Sequence, residues 1–246
     1  MAWPSLTVAA MLGLGSGALA ALKTCGPSQY DPAQYICHIN NFLCPITAGE
    51  ALSLCGGACY STFMYTCSAN TLTLLPAVTT PFTLAVSNPS LPALHNQPVS
   101  AAGLRWTLAG PTSSYCPDVV GAACPPGNAT AVVASAGRAA MDVMVPGGQA
   151  VYLTPDDWSV GYTQAHSAYM PGGSLVEGFG AYAGGGFVNL NGDGWGWVAC
   201  PPVTAGGGRW RLVGRNATSA AALAGCDAVN LRVVPFGGSV GAWQYA

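Results

Sequence analysis

Aromatic side chains are concentrated near the start of the chain, between Cys25 and Asn70. A neutral polysaccharide presents the CH faces of its pyranose rings and its hydroxyl groups, so rigid aromatic rings flanked by polar groups match it. We expect the tyrosines of this stretch to stack on such a ligand and its phenylalanines to form a small core; the alternative is that all the rings belong to that core. The residues are Tyr30, Tyr35, Tyr60 and Tyr65, with Phe42 and Phe63.

A second group of rings and polar side chains lies farther along the chain. The run from Tyr162 to Tyr169 is dense in both, which favours a groove in which other aromatic residues take part. A histidine without other histidines nearby is more often a hydrogen-bonded structural residue, and this is the alternative for His166. The predicted groove residues are Trp158, Tyr162, His166, Tyr169, Trp195 and Trp197, with Tyr182 beside them.

Carboxyl groups are the third candidate set, because glycoside hydrolysis requires two of them facing each other across the scissile bond. Glu177 and Asp193 are the pair that neighbouring strands could bring together. The preferred interpretation is a surface acid and a turn acid, since Asp193 lies in a stretch with the composition of a hairpin turn. The chain has three histidines and no Gly-x-Ser-x-Gly motif. We therefore expect no catalytic residue, no metal and no cofactor.

Ten cysteines divide the chain unequally, and six of them lie between Cys25 and Cys67. So short a piece cannot build a sufficient apolar core, which predicts a disulfide scaffold. The stretch from Cys25 to Cys37 recurs thirty positions later, from Cys55 to Cys67, with matching cysteine, glycine and tyrosine positions. The repeat favours symmetric pairing, although six cysteines allow 15 schemes, and the alternative for Cys55 and Cys59 is a zinc site. The expected pairs are Cys25 with Cys37, Cys55 with Cys67 and Cys44 with Cys59, then Cys116 with Cys124 and Cys200 with Cys226.

The motif Cys-Gly-x-x-x-Tyr-Asp-Pro-x-x-Tyr-x-Cys at Cys25, the run Asn41 to Pro45 and the second repeat at Cys55 carry a resemblance to a known family. Together they resemble the cysteine-rich carbohydrate-binding module, family 52 type, of fungal endo-1,3-beta-glucanases. The resemblance covers about Cys25 to Ser68 and implies binding of beta-1,3-glucan. The second repeat departs from this pattern at Ser61-Thr62, where a second Asp-Pro-like turn is expected.

The remainder of the chain carries a looser resemblance. The run Val145 to Gln149, the Cys200-Pro201 pair after a Gly-Trp strand and the Gly225-Cys226 pair before a strand are similar to secreted fungal cell-wall proteins of the phialide type. This resemblance implies a wall-associated protein and carries no site residue.

Composition and the N-terminus indicate the compartment. Residues 1–20 combine an apolar run with a small-x-small sequence ending at Ala20, which predicts a cleaved secretion signal. Asn128 and Asn216 are predicted glycosylation sites, as each begins an Asn-Ala-Thr sequence. Only 7% of residues are charged and the net charge is -2, which argues against nucleic-acid and membrane partners. The expected localisation is extracellular or in the cell wall.

Short apolar runs separated by Gly, Pro, Asn and Asp predict β structure after Phe82. The predicted organisation is a small disulfide-rich module at 25–70, a linker at 71–81 and an all-β domain at 82–246. This domain is expected to be a sandwich or jelly roll, with a trefoil-like barrel as the alternative.

The sequence therefore predicts a secreted fungal wall protein that binds beta-1,3-glucan or a related neutral polysaccharide without catalysis. A wall-degrading glycoside hydrolase targeted by the module is the first alternative. A structural wall protein or secreted effector is the second.

Overall fold

The computed structural model describes residues 21–191, 195–202, 208–215, 223 and 225–246. The predicted secretion signal, Asp193 and Asn216 lie outside these ranges. The described part is a disulfide-rich N-terminal region followed by β structure, with two short 3-10 helices at Ile39–Asn41 and Asp118–Ala123. No helix in these ranges has the length and apolar character needed to cross a bilayer.

Nine short strands build the N-terminal region, which we call the module (residues 23–74). They pair only with one another, as hairpins and one three-stranded sheet. The strands are β1 (Lys23–Cys25), β2 (Ser28–Tyr30), β3 (Tyr35–Cys37), β4 (Leu43–Thr47), β5 (Glu50–Ala51), β6 (Ser53–Cys55), β7 (Ala58–Tyr60), β8 (Tyr65–Ser68) and β9 (Thr71–Leu74).

The predicted linker is shorter than the sequence suggests. Its first four residues form β9, which pairs with β8 along its whole length. Its later residues are held by the β domain, since Val78 N–H donates to Ala181 O (2.9 Å) and Ala183 N–H donates to Pro76 O (2.8 Å). The carbonyl groups of Pro76 and Pro81 both accept from backbone N–H groups of the β domain, those of Ala183 and Phe236.

Fourteen strands lie in the described part of the β domain. They are β10 (Phe82–Ser87), β11 (Val99–Ala102), β12 (Arg105–Leu108), β13 (Ser114–Tyr115), β14 (Val132–Ser135), β15 (Arg138–Met141), β16 (Gln149–Leu153), β17 (Val160–Tyr162), β18 (Phe179–Ala181), β19 (Phe187–Asn189), β20 (Gly196–Cys200), β21 (Trp210–Arg215), β22 (Asp227–Pro235) and β23 (Gln244–Tyr245).

Ten of these strands make one antiparallel sheet in the order β11-β12-β17-β16-β15-β14-β10-β22-β20-β21. The sheet folds back on itself, because β12 also pairs with β21. The strands from β14 to β17 join the rest of the sheet through one residue pair at each end. Phe82 of β10 pairs with Val132 of β14, and Arg105 of β12 pairs with Gly161 of β17. Two layers thus enclose one core, and this arrangement is compatible with the predicted sandwich.

Large aromatic side chains fill the space between the layers. Phe187, Phe179 and Trp197 form a triangle of nearly parallel rings, in which Phe187 lies 5.7 Å from Phe179 and 5.5 Å from Trp197, and the last two are 6.4 Å apart. The C-terminal strand closes the core, because the buried Gln149 side chain accepts from Tyr245 N–H and donates to Tyr245 O. Apolar burial of this kind is the main source of stability for so weakly charged a chain.

Candidate functional site

The two sequence repeats of the module fold into the same pair of hairpins. β1 pairs with β2 as β6 pairs with β7, and the two turns use Gly26 and Gly56 at φ 57° and 61°. Both glycines adopt the left-handed conformation, which side chains disfavour. Tyr30 and Tyr60 end the second strands of these hairpins, so the repeat places them at equivalent positions.

A side-chain-stabilised turn follows each hairpin. Asp31 Oδ1 accepts from Ala33 N–H (2.8 Å) in the first repeat, and Ser61 Oγ accepts from Phe63 N–H (3.2 Å) in the second. Aspartate and serine both stabilise turns in this way. The departure at Ser61-Thr62 therefore keeps a side-chain-stabilised turn in the second repeat.

Disulfides hold the two repeats. Each repeat contains one bond, Cys25–Cys37 or Cys55–Cys67, and Cys44–Cys59 joins the repeats. The β domain has the bonds Cys116–Cys124 and Cys200–Cys226. These are the five pairs that the sequence predicts, and a zinc site at Cys55 and Cys59 is wrong because both sulfurs are oxidised. Cross-links compensate for a core that is too small to fix the aromatic side chains.

The module tyrosines differ in accessibility. Tyr35, on an edge strand, is 40% exposed, whereas Tyr30, Tyr60 and Tyr65 are half-buried. A ring that stacks on a sugar must present a face to solvent when no ligand is bound. Tyr35 meets this condition best.

The second repeat faces the β domain. Phe63 O accepts from Gly186 N–H (2.8 Å), and a Cβ at Gly186 would lie 2.5 Å from Phe63 Cδ1, so only glycine permits this approach. Burial raises the pKa of Tyr182 in the β domain, and the neighbouring Tyr65 raises it further. The β4–β5 turn also docks, since Ser87 Oγ donates to Glu50 Oε1 (2.6 Å). The docked second repeat leaves Tyr35, in the first repeat, as the exposed ring.

Three of the aromatic residues predicted to line a groove are buried. Tyr162 and Trp197 are buried in the core, where Tyr162 Oη donates to Ala246 O (3.2 Å) and Trp197 Nε1 donates to Phe187 O (2.7 Å). Tyr182 is also buried, at the contact with the module. A tyrosine or tryptophan can lie in a core when the polar atom of its side chain has a hydrogen-bond partner, as Tyr162 Oη and Trp197 Nε1 do. These three rings therefore expose little of their surface to a ligand.

The remaining groove candidates are accessible but occupy different surroundings. His166 and Tyr169 are exposed in the loop after β17, and His166 adopts a left-handed φ of 60°. Trp158 and Trp195 are half-buried and meet edge to face, with centroids 5.1 Å apart. Trp195 also lines a cleft between the module and the β domain, with Trp197 at its floor. Of the two tryptophans at this cleft, Trp195 is the more accessible, since Trp197 is buried.

Of the two candidate carboxylates, only Glu177 lies within the described residues. Glu177 is exposed and its Oε1 accepts from Arg138 Nη2 and Nε, which makes it a surface ion pair. Asp193 lies outside the described ranges. No group of three or more metal-binding side chains occurs in the part of the chain that the structure covers.

Asp157 has a structural role that the sequence shows only as a turn. Burial alone would raise the pKa of its carboxyl, but hydrogen bonds from Ser159 and Thr154 and the charge of Arg105 lower the pKa below its ordinary value. Arg211 Nη1 adds an ion pair at 2.9 Å. The loop that presents Trp158 is therefore held by a charged carboxylate.

The predicted glycosylation sites are only partly covered. Asn128 is exposed, as an acceptor must be, while Thr130 of the same motif is buried and its Oγ1 accepts from Ala101 N–H (2.7 Å). Asn216 lies outside the described residues. Attachment of a glycan at Asn128 stays a prediction.

Comparison with known proteins identifies the module and little else. Residues 24–72 match the family model described as "Carbohydrate binding". A protein of Arthroderma benhamiae named "Uncharacterized secreted protein" is 50% identical over 82 residues, which cover 33% of this chain and 40% of the relative. The aligned part thus spans less than half of either protein. No solved structure matches the chain.

Proposed function

We propose that this protein is an extracellular, noncatalytic binder of neutral polysaccharide, and that the exposed face of the first repeat holds the glycan. The observation that carries this proposal is Tyr35, an exposed ring on a disulfide-fixed scaffold within the matched stretch 24–72. The secreted relative supports the extracellular location. We propose beta-1,3-glucan of a fungal wall as the ligand, from the motif resemblance described above.

The chemistry of the module supports a neutral ligand. Its charged side chains in the described range are Lys23, Asp31 and Glu50, and Glu50 is hydrogen-bonded at the β-domain contact. A ligand without charge releases no counterions on binding, so its affinity depends little on salt. Stacking on Tyr35 then supplies affinity, and neighbouring amides and hydroxyls supply orientation.

The proposal is tested by sedimentation of the full-length secreted protein with insoluble polysaccharides. The panel is beta-1,3-glucan, cellulose, chitin and an anionic polymer, each at about 0.1 M and about 1 M salt. We expect retention on beta-1,3-glucan that changes little with salt. Retention on the anionic polymer alone, lost at high salt, would contradict a neutral-polysaccharide function.

A further inference from the structure

A cleft of about 450 Å³ lies where the module meets the β domain. One wall comes from the module, from the β4–β5 turn and the Ser61–Met64 segment, and the other from β19, β20 and β22. Its volume lies within the range of small-ligand sites, roughly 300–1,000 Å³. The site is complete only when both parts of the chain are docked.

The lining of this interface cleft is uncharged. Among the described residues that form it, none carries an ionisable side chain, and apolar surface exceeds polar surface. Phe63 and Trp195 supply aromatic surface, while Ser61, Asn189 and Asn230 supply hydroxyl and amide groups. An anionic or cationic ligand would find no partner charge among the described lining residues, whereas a neutral ring with hydroxyl groups matches both the apolar and the polar ones.

Asn189 adds an independent observation. It is 6% exposed, and its Oδ1 accepts from Asn191 Nδ2 (2.8 Å), but its Nδ2 has no hydrogen-bond partner among the described residues. A buried amide donor without a partner is unfavourable, and such a group requires an explanation such as a ligand or a water molecule. Asn189 lines the cleft, but its buried Nδ2 lies on the side of Gly214, 3.1 Å from the position of a Cβ at that glycine. The accessible amide of the cleft is therefore that of Asn230, which is half-buried.

The sequence context of the asparagines points the same way. Asn189 ends β19 directly after Phe187-Val188, and Asn230 lies within β22 among apolar residues. Asparagine is depleted in strands because its side chain competes for backbone hydrogen bonds. The cleft thus has two asparagines on its strands and the half-buried indole of Trp195 beside them. Amide groups next to an aromatic ring are typical of sites that bind a ligand with both apolar and hydroxyl surface.

We propose that the interface cleft is a second binding site, which takes a short segment of a neutral oligosaccharide. A pyranose ring packs against Trp195, and its hydroxyl groups bind the amide of Asn230. The choice of ligand class rests on the proposed function, because the module supplies one wall. The protein then holds glycan at two places, the Tyr35 face and the cleft.

The test is calorimetric titration of the full-length protein with hexasaccharides of beta-1,3-linked glucose, beta-1,4-linked glucose and beta-1,4-linked N-acetylglucosamine. We expect Trp195→Ala and Asn230→Ala each to weaken binding of the preferred hexasaccharide about fivefold or more. Tyr115→Ala, which removes an exposed tyrosine on β13, is the matched control and should bind as the wild type does.

A second measurement guards against misfolding of the Trp195 variant. A bound hexasaccharide covers Trp195, so it should reduce acrylamide quenching of tryptophan emission in the wild type. The reduction should be lost in the conservative variant Trp195→Phe, which keeps an aromatic ring against Trp158. Unchanged hexasaccharide affinity in folded Asn230→Ala and Trp195→Ala would overturn the cleft proposal.

The design separates this inference from the proposed function. If only Tyr35→Ala weakens binding, the cleft is refuted and the module face stands. If only the cleft variants weaken it, the Tyr35 face is refuted and the cleft stands. Binding of the apolar dye anilinonaphthalene sulfonate with no hexasaccharide binding would also overturn the proposal, because it would assign the cleft to apolar molecules.

Discussion

Ion pairing and exposure decide the role of Glu177. Both side chains of its pair with Arg138 are about two-thirds exposed, and such surface pairs contribute little to stability. A general acid needs a carboxyl whose pKa is raised by burial or by a facing carboxylate. Glu177 has neither feature in the described structure.

Glu177→Gln should therefore change almost nothing. We expect its free energy of unfolding to stay within about 0.5 kcal/mol of the wild type. Neither protein should release reducing ends from laminarin, lichenan, chitin or peptidoglycan above a heat-inactivated control. Release by the wild type that disappears in Glu177→Gln would establish the hydrolase alternative.

Tyr245 shows how a buried phenol limits alkaline stability. Burial, opposed by a hydrogen bond from Ala131 N–H and aided by the charge of Asp142, raises its pKa to about 12. The pKa of Tyr162 is raised too, mainly by burial. Because the folded pKa exceeds the unfolded value of 10.0, the stabilisation is present below pH 10 and is lost as pH rises through the folded value.

Thermal unfolding measured from pH 8 to pH 12 should show this loss. The wild type is expected to lose stability steeply above about pH 10. Tyr162→Phe removes one titrating phenol and one hydrogen bond, so it should flatten the alkaline decline after a small loss at neutral pH. Tyr115→Phe, at an exposed position, should follow the wild type. Parallel curves for all three proteins would show that the buried phenols are not the cause.

The repeats of the module show what elements contribute. Gly26, Gly56 and the turns at Asp31 and Ser61 are visible in the sequence, and the structure builds equivalent hairpins from them. Cys44–Cys59 is the bond between the two hairpin pairs, and it closes a loop of 15 residues. A loop of that length corresponds to about 3 kcal/mol of stabilisation in the chain-entropy account.

Replacement of Cys44 and Cys59 together by alanine should loosen the module selectively. We expect a new low-temperature unfolding transition and weaker glucan retention, while the β domain, with its own two disulfides, unfolds as before. Replacement of Cys116 and Cys124 together is the matched control and should leave retention unchanged. Full retention and a single unaltered transition in the Cys44/Cys59 variant would refute a scaffold that depends on this bond.

Local sequence patterns predict the strands and disulfides of this protein well, but they predict poorly which distant residues pack against one another. Cysteine spacing, glycine turns and alternating apolar runs are local, so the disulfides and the strand-rich character follow from them. The density of rings and polar groups predicts a groove that includes Tyr162 and Trp197, but a ring in a strand can face either side of a sheet. The choice of side depends on register and on distant partners such as Ala246 and Phe187. The interface cleft was not predictable, because residues far apart in sequence form its two walls.

At the scale of the whole molecule, the contact between module and β domain is the main constraint. It depends on Gly186, whose missing side chain lets the Phe63 ring approach and whose N–H binds Phe63 O. The contact orients the Tyr35 face outward and creates the interface cleft.

Gly186→Ala should therefore weaken docking. Its new methyl group would displace Phe63, with a cost of about 1–3 kcal/mol by analogy with overpacked cores. We expect faster proteolysis between the module and the β domain, measured by limited digestion. Gly237→Ala is the control, since a Cβ at Gly237 contacts nothing within 4 Å. Equal digestion rates for both variants and the wild type would contradict the importance of this contact.

The most direct test of the account compares binding isotherms of the wild type, Tyr35→Ala and Tyr115→Ala on insoluble beta-1,3-glucan. The two tyrosines are similarly accessible, 40% and 54% exposed, but only Tyr35 lies in the carbohydrate-binding match. We predict that Tyr35→Ala loses about 1 kcal/mol, or about fivefold in affinity, with its thermal unfolding unchanged and with Tyr115→Ala indistinguishable from the wild type. Equal affinity for all three folded proteins would contradict the proposal that the first repeat holds the glycan.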